Sequence, residues 1–582
     1  MGEAVTPARP MEALVLVNPS SARYADAVDF LFPYLDHLGV PARVRDVRRP
    51  PRDPGNWPLI IVGHRGLRAD AGLRCAVVAA VEAGCGLVTF DPDWPLPAHA
   101  GRRTAEGPVE IGGGRHWITR RHPPADRYMT GKPMILRPVA GRTPAGGRVL
   151  ASAGGVPLVS AGRVGRGRVV RWATWDWASP AVLGPFAGLD DLVWRGFAWA
   201  ARKPFAIRGL PPLVCMRVDD VAADGGLHDC SPLYWVRDSL QSGFRPWLGT
   251  FIYNLSPRAV GELRPWLSRG VVTESPHAFG RRPVGGSRRL HWAPDAVPLH
   301  GGRMDDFIYY DHYRTRPWPD REAARRLQAA EGWYAARNLP RRDGVFIPHW
   351  YEAGSSIFPR LHDRWGVRFT SLAKPPEMPC VWRSPWLKGG PFRLRGPRGP
   401  GIPRWWRPDC IGKRPVYYAD YSDLGGRRFF NSLTEIRDVA GYEWAPGNGV
   451  SPSVDRGVRI LSRAIDSMGL AVLFTHEMDY IWKIRPAEWR GMIAGVARGI
   501  ADRAPEFVTL EEGMRYIRAV RDSRFSACGL DARGRLVAEF RGHADVPTVF
   551  HLFTDAGAGV RTARVRIPPF RGRVRVSRPT AP

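Results

Sequence analysis

Leu213-Val214-Cys215-Met216-Arg217-Val218 is an apolar run carrying one Arg, and two acids, Asp219-Asp220, follow it at once. The run reads as a buried strand that ends on charge. Three more runs repeat the pattern. Residues 270–273 lead into Glu274-Ser275-Pro276-His277, and residues 344–348 into His349-Trp350-Tyr351-Glu352. Residues 470–475 lead into His476-Glu477, with Asp479 close behind. Helical spacing covers 320–338, 455–468 and 486–504, and the last has Trp489, Met492, Ile493, Val496 and Ile500 on one face. Thr509-Leu510-Glu511-Glu512 has a capping-box pattern. This alternation predicts an α/β fold with a (β/α) barrel over 206–522. In such a barrel all strand C-termini open on one face. Four strands ending in Asp or His would therefore aim those side chains at one mouth.

Asp and His together form a donor set suited to zinc or a similar divalent ion. Such an ion lowers the pKa of water, and a neighbouring carboxylate can take the proton. In an Asp-Asp pair, one carboxylate can bind the ion while the other acts as base. Plainer readings stand beside this one. Asp219-Asp220 also fits a helix N-cap, His277 a loop histidine, and His476 a satisfied core histidine. His312, in Tyr310-Asp311-His312, also fits an ordinary hydrogen-bonded cluster. Trp350, Trp386, Trp405 and Trp406 fit sugar-stacking platforms or packing anchors.

Residues 11–205 read as a separate α/β unit. Strand-like runs at 13–17, 59–62 and 86–90 alternate with helical spacing at 25–38 and 71–83, which predicts an open parallel sheet. His64 falls at a strand exit and reads as a loop histidine. Residues 156–172 contain Gly162, Gly165 and Gly167, and two strand-like runs around a glycine turn predict a hairpin rather than a phosphate loop. Residues 525–582 alternate with period two, predicting a small antiparallel β-sandwich-like domain.

Composition narrows the classes. With 23 Trp, 23 Phe and 16 Tyr in 582 residues, the chain is not a disordered one. No stretch approaches the roughly 20 uninterrupted apolar residues of a membrane span. Residues 1–10 lack a charged-then-apolar leader pattern, so the expected location is cytoplasmic. Net charge is +30, but its Arg excess is spread along the chain, which speaks against a nucleic-acid partner. The seven Cys contain no Cys-x-x-Cys pair and read as reduced thiols.

Met216-Arg217-Val218-Asp219-Asp220 and Leu473-Phe474-Thr475-His476-Glu477 resemble the first and last motifs of the polysaccharide deacetylase family, carbohydrate esterase family four. The resemblance implies Asp219 as general base, Asp220 as metal ligand and His476 as general acid. Ser275-Pro276-His277 resembles the first half of the family's His-Ser/Thr-x-x-His motif and implies His277 as a ligand. Arg281 stands where the second His would be, and His312 is the nearest substitute. The family's Arg-x-Pro-Tyr/Phe motif is replaced by Phe346-Ile347-Pro348-His349-Trp350, leaving His349 to contact substrate or metal, and His349, Trp350, Tyr351 and Glu352 to contact substrate or support the site. Glu477 and Asp479 would orient His476. The expected function is metal-dependent removal of an acyl group from a carbohydrate, with zinc as cofactor. A metal-independent glycoside hydrolase pairing Asp219 or Asp220 with Glu352 or Glu477, and an inactive glycan-binding scaffold, are the alternatives. The layout of 11–205 resembles glutamine-amidotransferase-like domains without their Cys nucleophile, which implies a non-catalytic role.

Overall fold

The computed structural model describes residues 9–579 apart from 95–102, 137–146, 184–188, 224–229, 281–306, 372–418, 437–442 and breaks of one to three residues elsewhere. His312, Trp386, Trp405 and Trp406 lie outside the described residues.

The N-terminal layer is a nine-stranded sheet. Five strands, Ala42–Asp46, Ala13–Val17, Leu59–Val62, Gly86–Thr89 and Gly167–Trp172, run parallel in that spatial order. Every residue of Ala13–Val17 is buried, as expected for a parallel strand covered on both faces. Val156–Val164 and Gly167–Trp172 form the expected hairpin, paired from Val159↔Trp172 to Val164↔Gly167. The sheet continues antiparallel through Arg148–Ala153, Val109–Ile111 and Asp126–Tyr128. His64 is buried and structural. Its Nδ1 donates to the Arg65 carbonyl at 2.8 Å, leaving Nε2 to accept the Asn18 N–H at 2.9 Å, which ties two strand exits together.

The central strands carry the candidate site. Leu213–Val221 lies between Pro246–Phe251 and Ala471–His476, with Thr273–Ala278 beyond Pro246–Phe251, all parallel. The expected barrel is not confirmed by the described strands. Val345–Phe346, Phe369–Thr370, Arg427–Ser432 and Ala419–Leu424 form a second sheet, so the described strands make two sheets rather than one ring. Val345–Phe346 is two residues long, and Pro348 has no N–H to extend the ladder. The acids and imidazole expected after the strands lie within them: Asp219 and Asp220 are in Leu213–Val221, and His277 is in Thr273–Ala278.

The C-terminal strands form two antiparallel sheets that draw in strands from elsewhere. One sheet joins Arg9–Pro10, Ser523–Leu530, Leu536–Ala544 and Phe570–Arg578; the other joins Phe205–Ile207, Thr548–Ala556 and Gly559–Ile567. Met11 and Ala206 fill their common core beside Leu536, Phe540, Phe550 and Ile567. Among the described residues no helix is long and apolar enough to cross a membrane.

Candidate metal centre

Arg217 is the charge inside the decisive strand, and it is almost fully buried. A buried charge is tolerated when it is paired and hydrogen-bonded. Its Nε donates to Asp219 Oδ1 at 2.8 Å and its Nη2 to Oδ2 at 2.5 Å, a two-pronged clamp. Nη1 donates to the Tyr351 hydroxyl at 2.7 Å and to Thr434 Oγ1 at 2.8 Å. The guanidinium lies 4.1 Å from the Phe474 ring centroid. Burial pushes the Asp219 carboxyl up, but the charge and hydrogen bonds of Arg217 outweigh it and hold Asp219 below the ordinary carboxylate value. Asp219 is therefore ionised at neutral pH.

Asp220 follows with φ of +55°, a left-handed conformation that costs a non-glycine residue roughly 1–3 kcal/mol. Glu477 supports the strained turn. Its Oε2 accepts the N–H groups of Ala222 at 2.6 Å and Ala223 at 2.8 Å, and its Oε1 accepts Trp235 Nε1–H at 2.7 Å. The Glu477 N–H also donates to the Asp219 carbonyl at 3.0 Å.

His277 Nδ1 donates to the Ile347 carbonyl at 2.8 Å. That bond fixes the tautomer and leaves the Nε2 lone pair facing inward, as outer hydrogen bonds do for metal-binding imidazoles. Burial pushes His277 down to about 4, so it is neutral at pH 7 and able to act as a donor. Gly249 gives the ring room, because a Cβ there would sit 3.0 Å from Nδ1. His277 Nε2 lies 3.4 Å from Asp220 Oδ1 and 3.6 Å from Asp219 Oδ2. His349 Nε2 approaches the same Asp220 Oδ1 at 3.6 Å. Phe307 stacks on the His349 ring at 5.1 Å and 7°.

Asp220, His277 and His349 place one donor atom each within 4.8 Å of one another. Atoms bound at about 2.0–2.2 Å with tetrahedral angles lie about 3.3–3.6 Å apart. The spacings of 3.4 and 3.6 Å to Asp220 meet that requirement, so these residues fit a divalent ion. The trio contains His349, for which contact with substrate or metal, or support of the site, was expected.

His476 ends the neighbouring strand, paired in register with Asp219. The carboxylate at its Nδ1 is Glu443, at 2.5 Å. The expectation for Glu477 and Asp479 is thereby corrected: Glu477 turns to the 222–223 turn and Trp235, and Asp479 is exposed. Burial lowers the His476 pKa, but Glu443 and the charges of Asp220 and Asp219 raise it to about 10. Tyr480 Oη donates to Glu443 Oε1 at 2.7 Å and completes the chain. Sequence reasoning missed Glu443 because no strand precedes it. The adjacent Trp444 was the available signal: it is buried and anchored through its N–H to the Phe474 carbonyl at 2.7 Å. Glu352 is buried close by in sequence, and Trp350 belongs to the short turn His349–Tyr351.

The two-layer α/β core followed by a β-sandwich is an architecture already seen in a solved enzyme. The crystal structure of Agd3, described as a novel carbohydrate deacetylase, superposes with a TM-score of 0.52 over 98% of this chain and 98% of that one, at 9% identity. At that identity the likeness is one of fold. A ThuA-like protein from Parabacteroides merdae covers 33% of this chain and 90% of its own at 14% identity and a TM-score of 0.25. The cytoplasmic protein STM1381 from Salmonella typhimurium covers 29% and 89% at 15% identity and a TM-score of 0.21. No protein-family profile matches the chain, and no curated protein does.

Proposed function

We propose that the chain is a metal-dependent hydrolase that removes an acyl group from a carbohydrate. The observation that carries this reading is the meeting of Asp220, His277 and His349 around one point, with Asp219 ion-paired to Arg217 beside it. The fold shared with a carbohydrate deacetylase supports it. Asp220, His277 and His349 would hold the ion. A divalent ion bound there supplies polarisation of the acyl carbonyl and a lowered pKa for water. Asp219, kept ionised by Arg217, accepts a proton from the attacking water. His476, kept protonated by Glu443, gives a proton to the leaving nitrogen or oxygen of the sugar. The acyl carbon–heteroatom bond breaks, yielding a carboxylic acid and a free amine or hydroxyl. The glycoside-hydrolase alternative is weakened because both oxygens of Glu477 are engaged by donors in the turn it braces.

The test is acid release from a panel of N- and O-acetylated oligosaccharides. Wild type should release acetate, lose activity to a chelator and regain it with zinc. Asp219→Asn and Asp220→Asn should abolish release while the fold persists by circular dichroism. Release that persists in either variant would overturn the reading.

A further inference from the structure

The dispersed Arg excess conceals one concentrated face. On Phe570–Arg578, Phe570, Val574 and Val576 pack against the sandwich core, so Arg571, Arg573 and Arg575 alternate outward and are exposed. The register places Arg541 opposite Arg573 and His543 opposite Arg571 on the neighbouring strand. Arg524 lies opposite Arg541 on the strand beyond. Glu539, directly opposite Arg575, is the acid among these outward positions of the described residues, so the like-charge pairs are Arg541 with Arg573 and Arg541 with Arg524. It already accepts Ser526 Oγ–H at 2.6 Å and lies 3.6 Å from Arg541. Arg524 has one acid neighbour from outside the face, Asp36 at 3.4 Å.

Like charges directly opposite one another destabilise a sheet. Charge on an edge strand guards against edge-to-edge pairing, which accounts for arginines on Phe570–Arg578. It does not account for the row continuing inward through Arg541 to Arg524. An anionic partner bridging the row would relieve that repulsion. Guanidinium groups bind carboxylates and sulfates through paired N–H groups. Apart from the His543 imidazole, the outward residues include no aromatic ring for base stacking, and single-stranded nucleic-acid sites use a series of such rings. They also include none of the exposed large apolar side chains that a membrane-seated face would insert.

We propose that this sheet face binds an acidic polysaccharide through Arg571, Arg573, Arg575 and Arg541. The substrate class follows, resting on the carbohydrate reading above: a glycan bearing acid groups, held at the sandwich while an acyl group is removed at the metal centre.

The experiment measures binding of the full chain to polygalacturonate and heparin, beside neutral dextran, single-stranded DNA and phosphatidylglycerol vesicles, at low and moderate salt. The expected result is salt-sensitive binding to both acidic glycans and none to dextran. Arg571→Ser/Arg573→Ser/Arg575→Ser should weaken that binding about tenfold or more and flatten its salt dependence, as fewer ionic contacts imply. A control of equal charge change elsewhere, Arg258→Ser/Arg321→Ser/Arg498→Ser, should leave it intact. Asp220→Asn should also leave it intact, so failure of the metal-centre reading registers separately. Equal weakening by both triple variants, no binding to acidic glycans, or tighter binding to DNA or vesicles would overturn the proposal.

Discussion

Glu443→Gln keeps the shape of the side chain beside His476 and removes its charge. In the wild type, burial lowers the His476 pKa, but Glu443, Asp220 and Asp219 outweigh it and raise the value from 6.5 to about 10. The Glu443 contact at 2.5 Å is an ion pair, and an opposite charge at this distance and burial is worth about 1.5–3 kcal/mol to the protonated imidazole. At about 1.4 kcal/mol per pKa unit, its loss lowers His476 by about one to two units. A general acid works while protonated, so activity is present below its pKa and lost above it. The alkaline limb of kcat/KM should therefore move down by about one to two units in Glu443→Gln, with activity near neutrality less affected. A divalent ion at Asp220 lowers His476 in both proteins, so the difference between their profiles is the quantity to read. The assay is acetate release from an acetylated oligosaccharide across pH 5–11. An unchanged alkaline limb would refute the assignment of His476 as the acid held charged by Glu443.

Other outcomes follow from the same geometry. Arg217→Met leaves the buried Asp219 carboxylate uncompensated, which should cost about 3–5 kcal/mol in urea unfolding. It should also raise the Asp219 pKa, moving the acid limb of activity upward, because a base works only above its pKa. His349→Ala should lose bound zinc measured by plasma mass spectrometry, because it removes one of the three donors that meet at the site. Glu477→Ala removes three acceptor contacts from the strained turn and should destabilise the fold by about 2–4 kcal/mol, with faster amide exchange at Ala222 and Ala223.

Much of the site was legible because parallel strands are apolar throughout and a charge near their ends stands out. Asp219, Asp220, His277 and His476 could be picked out for that reason, and the structure brings all four to one place. Arg217 was visible as a charge in a buried run, a position that demands a partner; its partner proved to be two residues away on the same face. His349 was visible too, but its approach to Asp220 depends on the turn after Pro348 and on how two sheets meet, which no local pattern encodes. Glu443 lay in a non-periodic segment, with the adjacent Trp444 as its one signal. Closure of a barrel was not legible: helices alternating with strands specify parallel pairing but not closure, and the two-residue strand Val345–Phe346 beside Pro348 pairs in a second sheet among the described strands. Likewise, alternation located the C-terminal strands but not the recruitment of Arg9–Pro10 and Phe205–Ile207, a long-range pairing.

The most direct measurement is zinc-edge anomalous diffraction from crystals of the zinc-loaded protein. The account predicts a single strong peak about 2 Å from Asp220 Oδ, His277 Nε2 and His349 Nε2, with Asp219 close by and ion-paired to Arg217. Zinc at another set of side chains, or crystals that take up none while the three residues keep their positions, would contradict it.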